Sequence, residues 1–384
     1  MKRWLVGAML LALAGVLVVV VIDSNRDPIA ILEGHGGKIE QNPQGDVVEL
    51  KLGGTNITDT GLVHLKGFTK LQRLTLNFTN ITDAGLIHLK ELTNLQTLHL
   101  MGTKVTDSGL LHLRGLTNLQ DLRIGGSITD AGLVHLNGMT ELRNLDLAST
   151  DAGLVHLSGL TNLQTLHLRG TEITGAGLVH LMDLTNLKEL GLLGHNITDA
   201  GLVHLRGFTN LQTLNLHGTQ ITDAGLVHLK GLQLTNLAIP TQTRTDLGLK
   251  HYLAALETHT ALNLVGWRFT DSGLVHLKGL TNLQTLHLRG TKITGAGLVH
   301  LKGLANLTYL NLAQTKITDA GLEHLKGLSK LHALHLYETE ITDTGLLHLK
   351  ELTKLQSLKL GGTKITDTGI ADLQKALPNC KIEK

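Results

Sequence analysis

The sequence predicts an α/β solenoid in which about fourteen short repeats stack through one parallel sheet, with a short helix in each repeat. The first observation is a strand signature, LxxLxL, as in Leu71, Leu74 and Leu76. The second is its period of 24 residues, with individual steps of 21 to 25. The third is that apolar residues alternate in the first part of each repeat and recur at every third residue in the second part. The middle residue of the signature, here called the marker leucine, falls at positions 50, 74, 98, 122, 145, 166, 190, 214, 237, 262, 286, 310, 334 and 358.

Residues 211–232 show how one repeat is built. Apolar residues alternate at 214 and 216, which is typical of a half-buried strand, and residues 217–220 then turn the chain. Thr222 and Asp223 supply a helix N-cap and an acidic first turn. From 226 to 232 leucines recur at every third residue, which places them on one face of a short helix. The predicted order is strand, turn, short helix and turn.

A 24-residue repeat is too small to fold alone. Its few apolar side chains cannot offset the conformational entropy that is lost when the segment becomes ordered. Stacking removes this difficulty because neighbouring strands pair in a parallel sheet and share one core. A doubly wound sheet would need longer crossover connections, so the period favours the solenoid.

The amino terminus carries an apolar segment, residues 5–22, which runs from Leu5 to Ile22 without a charged side chain and follows Lys2 and Arg3. As a helix these residues would span about 27 Å, enough to cross a bilayer core. A signal peptide usually has a shorter apolar core and then a cleavage site, so we expect an uncleaved signal anchor, with a cleaved signal peptide as the alternative. The basic residues predict a single-pass membrane protein with an exported body, or a periplasmic or secreted one after cleavage.

The pattern divides the chain into a signal segment (1–22), a tether with an amino-terminal cap (23–46) and the repeats (47–384), which end in a partial repeat. A cap is expected because the first repeat would otherwise expose its core. Residues 28–34 are expected to form a short helix. Residues 38–40 and 47–52 are expected to pair as a hairpin across an Asn-Pro-Gln-Gly turn.

The composition excludes several function classes. The net charge is +2 and there are nine aromatic side chains (two Trp, three Tyr, four Phe), so the chain lacks the basic field and the stacking platforms of a nucleic-acid binder. Cys380 is the single cysteine, which excludes an intrachain disulfide or a multi-cysteine metal site. No HExxH, GxSxG, Walker loop or GxGxxG after a strand occurs. The sequence therefore predicts no catalytic residues, no metal, no cofactor and no nucleic-acid partner.

Over residues 47–382 the repeats resemble leucine-rich repeats, and segments such as residues 221–226 (ITDAGL) resemble the cysteine-containing subclass of bacterial and F-box proteins. Threonine here stands five residues after the marker, where that subclass has its ladder cysteine. The threonines are Thr79, Thr103, Thr171, Thr219, Thr291, Thr315, Thr339 and Thr363. The resemblance implies a right-handed horseshoe with strands on the concave face and helices on the convex face. It also implies a non-enzymatic protein-binding role.

Thirteen histidines occupy one helix position, two residues after Gly-Leu, and are expected to form a column along the convex side. Packing or hydrogen bonding between repeats is the favoured interpretation, with pH sensing and metal binding as the alternatives. The histidines are His64, His88, His112, His135, His156, His180, His204, His228, His251, His276, His300, His324 and His348.

Residues that flank the core leucines of each strand point away from the core, and their mixture of His, Arg, Asn and Tyr suits a recognition surface. Tyr309, Asn311, His335 and Tyr337 follow on consecutive strands and are the expected hot spot. The full set predicted to bind a protein partner on the concave face is His99, Arg123, His167, Arg169, His217, His287, Arg289, Tyr309, Asn311, His335 and Tyr337.

The function predicted from these patterns is a non-enzymatic scaffold that binds a protein partner outside the cytoplasm. A structural spacer or adhesive element of the cell envelope, without a discrete ligand, is the alternative. A hydrolase or a glycan-binding protein is a third hypothesis; a glycan-binding protein would need exposed aromatic platforms for sugars, and these are few.

Overall fold

The structure is a computed structural model that describes residues 7–13, 16–22, 27–125, 127–170 and 172–384. The chain divides into two compact units, Met1–Asn196 and Ile197–Lys384, called here the first and second unit. Strands alternate with short helices in both, so each is a solenoid of the predicted α/β class. The predicted domain bounds at 22/23 and 46/47 stay predictions, and residues 23–26 of the tether and Thr171 lie outside the described residues.

The apolar amino-terminal segment forms two strands, β1 (Gly7–Leu13) and β2 (Val16–Ile22), which pair antiparallel. The single helix predicted for residues 5–22 is therefore wrong. β2 holds five valines and one isoleucine, and β-branched side chains favour extended backbone over helix. Across the described parts of the chain, no helix combines the length and the apolar character that a membrane crossing requires.

The first unit contains a cap and the first seven repeats. Asp27 caps the helix Pro28–Gly34 by accepting from Ile29 N at 3.0 Å. The next two strands form the predicted antiparallel hairpin. The remaining strands pair parallel in sequence order, with marker leucines opposite one another from Leu50 to Leu190. These strands are β3 (Lys38–Gln41), β4 (Val47–Lys51), β5 (Arg73–Thr75), β6 (Thr97–His99), β7 (Asp121–Arg123), β8 (Asn144–Ala148), β9 (Thr165–Arg169) and β10 (Glu189–Gly191).

The second unit has the same register but contains a gap in its sheet. β11 pairs parallel with β12, and a separate six-stranded parallel sheet runs in order from β13 to β18. Within residues 197–384, all of which are described, no ladder joins β12 to β13. The strands are β11 (Thr213–Asn215), β12 (Asn236–Ala238), β13 (Ala261–Asn263), β14 (Thr285–His287), β15 (Tyr309–Asn311), β16 (Ala333–His335), β17 (Ser357–Lys359) and β18 (Lys381–Glu383).

Short helices follow the strands. The α-helices after the cap are Asp59–Leu62, Asp83–Leu86, Asp107–Leu110, Asp151–Leu154, Asp246–Ala255, Asp271–Leu274, Asp319–Leu322, Asp343–Leu346 and Asp367–Ala376. The 3₁₀ helices are Val63–Leu65, Ile87–Leu89, Leu111–Leu113, Asp130–Leu136, Val155–Leu157, Gly177–Leu181, Asp199–Gly207, Gly225–Leu229, Thr241–Thr243, Val275–Leu277, Gly295–Leu301, Glu323–Leu325 and Leu347–Leu349.

Two polar ladders accompany the leucine core, in which the described marker leucines are at most 5% exposed. Threonines five residues after the marker donate to a backbone carbonyl three residues earlier, as Thr79 Oγ1 does to Leu76 at 2.7 Å. This confirms the predicted role of the threonine ladder. In the second ladder, Asp83 accepts from Thr106 N at 2.7 Å and from Thr106 Oγ1 at 2.5 Å in the next repeat. The aspartate was predicted only as an acidic helix start, but it also joins adjacent repeats.

Candidate functional site

The candidate site is the strand face, defined here as the sheet surface formed by residues that flank the marker leucine of each strand or the leucine two residues after it. On β5, β6 and β14 the marker leucine is buried and both neighbours are half-buried, because successive side chains of a strand point to opposite sides. Ten of the eleven predicted partner-binding residues keep an accessible side chain. The exception is Asn311, which is 7% exposed and accepts a hydrogen bond from Ala313 N at 3.1 Å, so it supports the turn.

In the first unit the strand face contains a buried carboxylate that is bound by an arginine through two hydrogen bonds. Asp146 on β8 is 5% exposed. Arg169 at the end of β9 donates to it from Nε at 2.5 Å and from Nη2 at 2.6 Å. The hydrogen bond to Asp146 raises the pKa of Arg169. Arg169 is therefore the counter-ion of Asp146, and much of its donor capacity is already used.

The other predicted cations of this unit are also paired. His99 Nε2 lies 3.0 Å from Asp121 Oδ1, and Arg123 Nε donates to the same oxygen at 3.5 Å. Burial raises the pKa of Asp121, but His99 and Arg123 together outweigh it, so that pKa is lowered overall. His167 Nε2 lies 3.0 Å from Glu189 Oε1. Each predicted cation of the first unit thus faces a carboxylate on its own or a neighbouring strand.

These carboxylates line a groove of about 260 Å³ together with Arg123 and His167. The predicted partner-binding set contains these cations but not Asp121, Asp146 and Glu189. A signal was present, because the three acids also flank marker leucines and a parallel sheet brings such positions side by side. The predicted residues of the first unit are therefore parts of a charge-paired surface.

In the second unit the strand face carries the ring cluster, defined as His287, Arg289, Tyr309, His335 and Tyr337. The ring centroids of His287 and Tyr309 lie 4.7 Å apart, those of Tyr309 and His335 5.1 Å, and those of His335 and Tyr337 6.4 Å. The Arg289 guanidinium lies 5.4 Å from the Tyr337 ring centroid, within cation–π range. The structure thus brings together the hot spot predicted from the sequence, apart from the buried Asn311.

Polar contacts hold the ring cluster in place. Tyr309 Oη lies 3.1 Å from His335 Nδ1, so the hydroxyl can donate to the neutral ring. Burial raises the pKa of Tyr309 and lowers the pKa of His335, so that it favours the uncharged form of both groups. Arg289 Nε donates to Gln314 Oε1 at 2.9 Å, and Gln314 Nε2 donates to Glu338 Oε2 at 3.0 Å.

Gln314 and Glu338 were not predicted as site residues. Both adopt a positive φ, 57° and 55°, in a turn position that Gly290 and Gly362 fill in other repeats. A side chain in this backbone region carries strain, and such strain is concentrated at functional positions. The sequence signal was the replacement of a recurring turn glycine. His217, in contrast, lies beyond β11, on the far side of the sheet gap from β14, and is not part of the ring cluster.

The thirteen column histidines are all half-buried. Arg114 Nε donates to His135 Nδ1 at 3.0 Å, and Arg206 Nη2 lies 2.8 Å from His228 Nδ1. Burial and the charge of Arg114 lower the pKa of His135. In the described residues no group of three or more His, Cys, Asp or Glu side chains could hold a metal ion. At His135 and His228 the column therefore contributes contacts between repeats.

Comparisons with known proteins identify the repeat type. A family model described as "Leucine Rich repeat" matches residues 69–90, 91–113, 159–182, 209–230 and 351–373, and one described as "Leucine Rich repeats (2 copies)" matches residues 281–328. None of the curated proteins compared with the chain matches it.

Solved structures match over most of the chain. An internalin from Listeria monocytogenes is 23% identical with a TM-score of 0.55, and the match covers 93% of each chain. A leucine-rich-repeat protein from Leptospira interrogans is 20% identical with a TM-score of 0.56, covering 86% of this chain and 95% of its own. These likenesses establish the fold.

Proposed function

Because the chain is built of leucine-rich repeats, we propose that it is a non-enzymatic binding protein whose strand face holds a protein partner. The observation that carries this proposal is the ring cluster. Tyrosine and arginine are enriched at the energetically important positions of protein interfaces. The cluster places His287, Tyr309 and His335 on three adjacent strands, and it adds an arginine and a second tyrosine just beyond the ends of β14 and β16.

The ring cluster is organised before any partner arrives. Its rings contact one another in tilted and edge-to-face arrangements, and Arg289 contacts both Gln314 and the Tyr337 ring. Side chains that already hold one conformation lose little entropy when a partner binds, so more of the contact energy appears as affinity. The cluster stays half-exposed despite these contacts, so it keeps surface that a partner can cover.

The chemistry of the cluster also indicates the kind of surface that fits it. Burial favours the uncharged form of Tyr309 and His335, and Arg289 supplies the positive charge beside them. A partner segment with an aromatic or aliphatic side chain for the rings and a carboxylate for Arg289 would match this pattern. The paired charges of the first unit leave no comparable free group among His99, Arg123, His167 and Arg169, so we assign them a secondary role.

The location of the protein is also part of this proposal. We propose that the repeats act outside the cytoplasm, and the support is the sequence pattern of Lys2 and Arg3 ahead of an apolar run. A structural spacer, the alternative function, would need no hot spot on the strand face.

A capture experiment separates binding from the spacer function. The full chain is crosslinked in extracts of the cells that make it, and the captured proteins are compared with those of Tyr309→Ala/Tyr337→Ala. We expect the double variant to bind its specific partner with roughly 30-fold lower affinity, because that is the usual effect of removing one hot spot. The control is His324→Ala, a half-buried histidine on the helix side, which should capture as the parent does. Equal capture by all three proteins, with unchanged melting, would contradict binding by the strand face.

A further inference from the structure

The sheet gap of the second unit lies where one repeat departs from the leucine pattern. The strand signature begins with a leucine three residues before the marker. This leucine is Leu283 before β14 and Leu307 before β15, and both are fully buried. His259 takes this place before β13. It is only half-buried, and its Nε2 lies 3.0 Å from the carbonyl of Leu253 in the preceding helix. A polar ring that turns toward the helix cannot fill the leucine site, so the chain before β13 departs from the regular packing.

The opening is confined to the strand side of this repeat. On the helix side Thr270 N donates to Asp246 Oδ1 at 2.7 Å, and Arg268 N donates to the carbonyl of Arg244 at 2.8 Å. These are contacts between the two repeats on either side of the gap. Just before β12, Leu234 N also donates to the carbonyl of Ala255 at 2.8 Å, so the two repeats stay joined there and only the ladder between β12 and β13 is missing.

A polar groove of about 510 Å³ lies beside the gap, at the amino-terminal ends of β13 and β14. This volume is in the range of sites that hold small ligands or short segments. Its walls are residues 257–260 and 279–282, together with Gln284 and Asn306. The lining consists largely of hydroxyl and carboxamide groups, with one carboxylate and one imidazole.

An asparagine amide points to the ligand class of this groove. In five repeats an asparagine donates its Nδ2 to a backbone carbonyl of the repeat before it, as Asn306 does to Thr281 at 2.8 Å and Asn118 to Thr93 at 2.8 Å. Asn282 occupies the same position in its repeat and lines the groove. Within the fully described range 172–384 it forms no such bond. Its amide is placed by the fold to donate to a peptide carbonyl that its own chain does not supply.

We propose that this groove binds an extended peptide segment whose backbone carbonyl accepts from Asn282 Nδ2. Thr258, Thr260 and Gln284 supply further groups that pair with backbone amides. No aromatic side chain lines the groove, so it lacks the platform on which a sugar or a base would stack. The proposal does not rest on the proposed function, because the groove uses none of the ring-cluster residues.

The test uses a phage-displayed library of random twelve-residue peptides, selected on the full chain. Enriched peptides are synthesised and their dissociation constants are measured by calorimetry. We expect Asn282→Ala to weaken binding about tenfold, which corresponds to the loss of one hydrogen bond. His259→Leu restores the residue of the other repeats and should close the groove, so that binding falls below detection. Asn118→Ala removes an amide whose bond is internal and should leave the affinity unchanged.

The variants also separate this proposal from its alternatives. Asn282 is exposed, so Asn282→Ala keeps the test valid even if His259→Leu does not fold. Failure to enrich any peptide, or equal affinity for the parent and Asn282→Ala, would overturn the proposal. Binding of an oligosaccharide from a glycan array that depends on Asn282 would also overturn it. Tyr309→Ala/Tyr337→Ala should leave peptide binding in the groove intact, whatever the outcome of the capture experiment.

Discussion

Gly225→Ala is expected to lower the free energy of unfolding of the second unit by about 3 kcal/mol, measured by denaturant unfolding. A Cβ on Gly225 would lie 2.0 Å from Asp199 Oδ1 and 2.8 Å from Asp199 Cβ. The carboxylate cannot simply rotate away, because Thr222 donates to it from its backbone N at 2.7 Å and from Oγ1 at 2.6 Å. The added methyl group therefore forces either a shift of the helix or the loss of two hydrogen bonds to a charged acceptor.

The control for this prediction is Gly207→Ala. Gly207 has open space around its Cβ direction and no positive φ, so alanine there should be neutral or slightly stabilising. The same aspartate–threonine bridge recurs at Asp83–Thr106, Asp107–Thr129, Asp151–Thr174, Asp271–Thr294 and Asp343–Thr366. If Gly225→Ala and Gly207→Ala unfold at the same denaturant concentration, the close contact of Gly225 with the bridge does not contribute to stability as proposed.

Arg169→Ala is expected to destabilise the first unit by about 2 to 4 kcal/mol, although Arg169 is an exposed residue. The reason is that Asp146, 5% exposed, would keep its charge without its two-point partner. Such a loss far exceeds what exposed arginines usually contribute. Denaturant unfolding of the variant and the parent at neutral pH measures it.

A second substitution identifies the cause. Asp146→Asn in the Arg169→Ala background removes the unpaired charge and should restore about half of the lost stability. Arg123→Ala is the matched control, because Asp121 keeps its contact with His99 when Arg123 is removed. If Arg169→Ala is no more harmful than Arg123→Ala, then Arg169 is free for a partner, as the sequence analysis predicted.

The repeats were predictable because their signal is local and recurs many times. A marker leucine every 24 residues fixes the strand register, and the structure pairs Leu286 with Leu262 and Leu310 as expected. The cap hairpin and the helix Pro28–Gly34 were predictable from turn and cap residues. The threonine ladder followed from the need of each turn to satisfy its carbonyl groups, as at Thr339.

Features that depend on contacts between repeats were harder to predict. The aspartate bridge joins residues 23 apart, so one repeat read alone shows only a helix cap. The ion pairs of Asp146 and Asp121 likewise join different strands. The sheet gap lies beside a repeat in which His259 takes the place of a leucine, and a single replacement of this kind does not by itself predict that a ladder is missing. The helix predicted for residues 5–22 was wrong because valine and isoleucine, which fill most of residues 16–22, favour extended backbone.

The most direct test of the proposed function is site-specific photo-crosslinking from two positions of the second unit. A photoreactive residue replaces Tyr337 on the strand face in one protein and Val299, 43% exposed on the helix Gly295–Leu301, in the other. Binding by the strand face predicts one specific protein adduct from position 337 and none from position 299. Adducts of equal yield from both positions, or an adduct from position 299 alone, would contradict it.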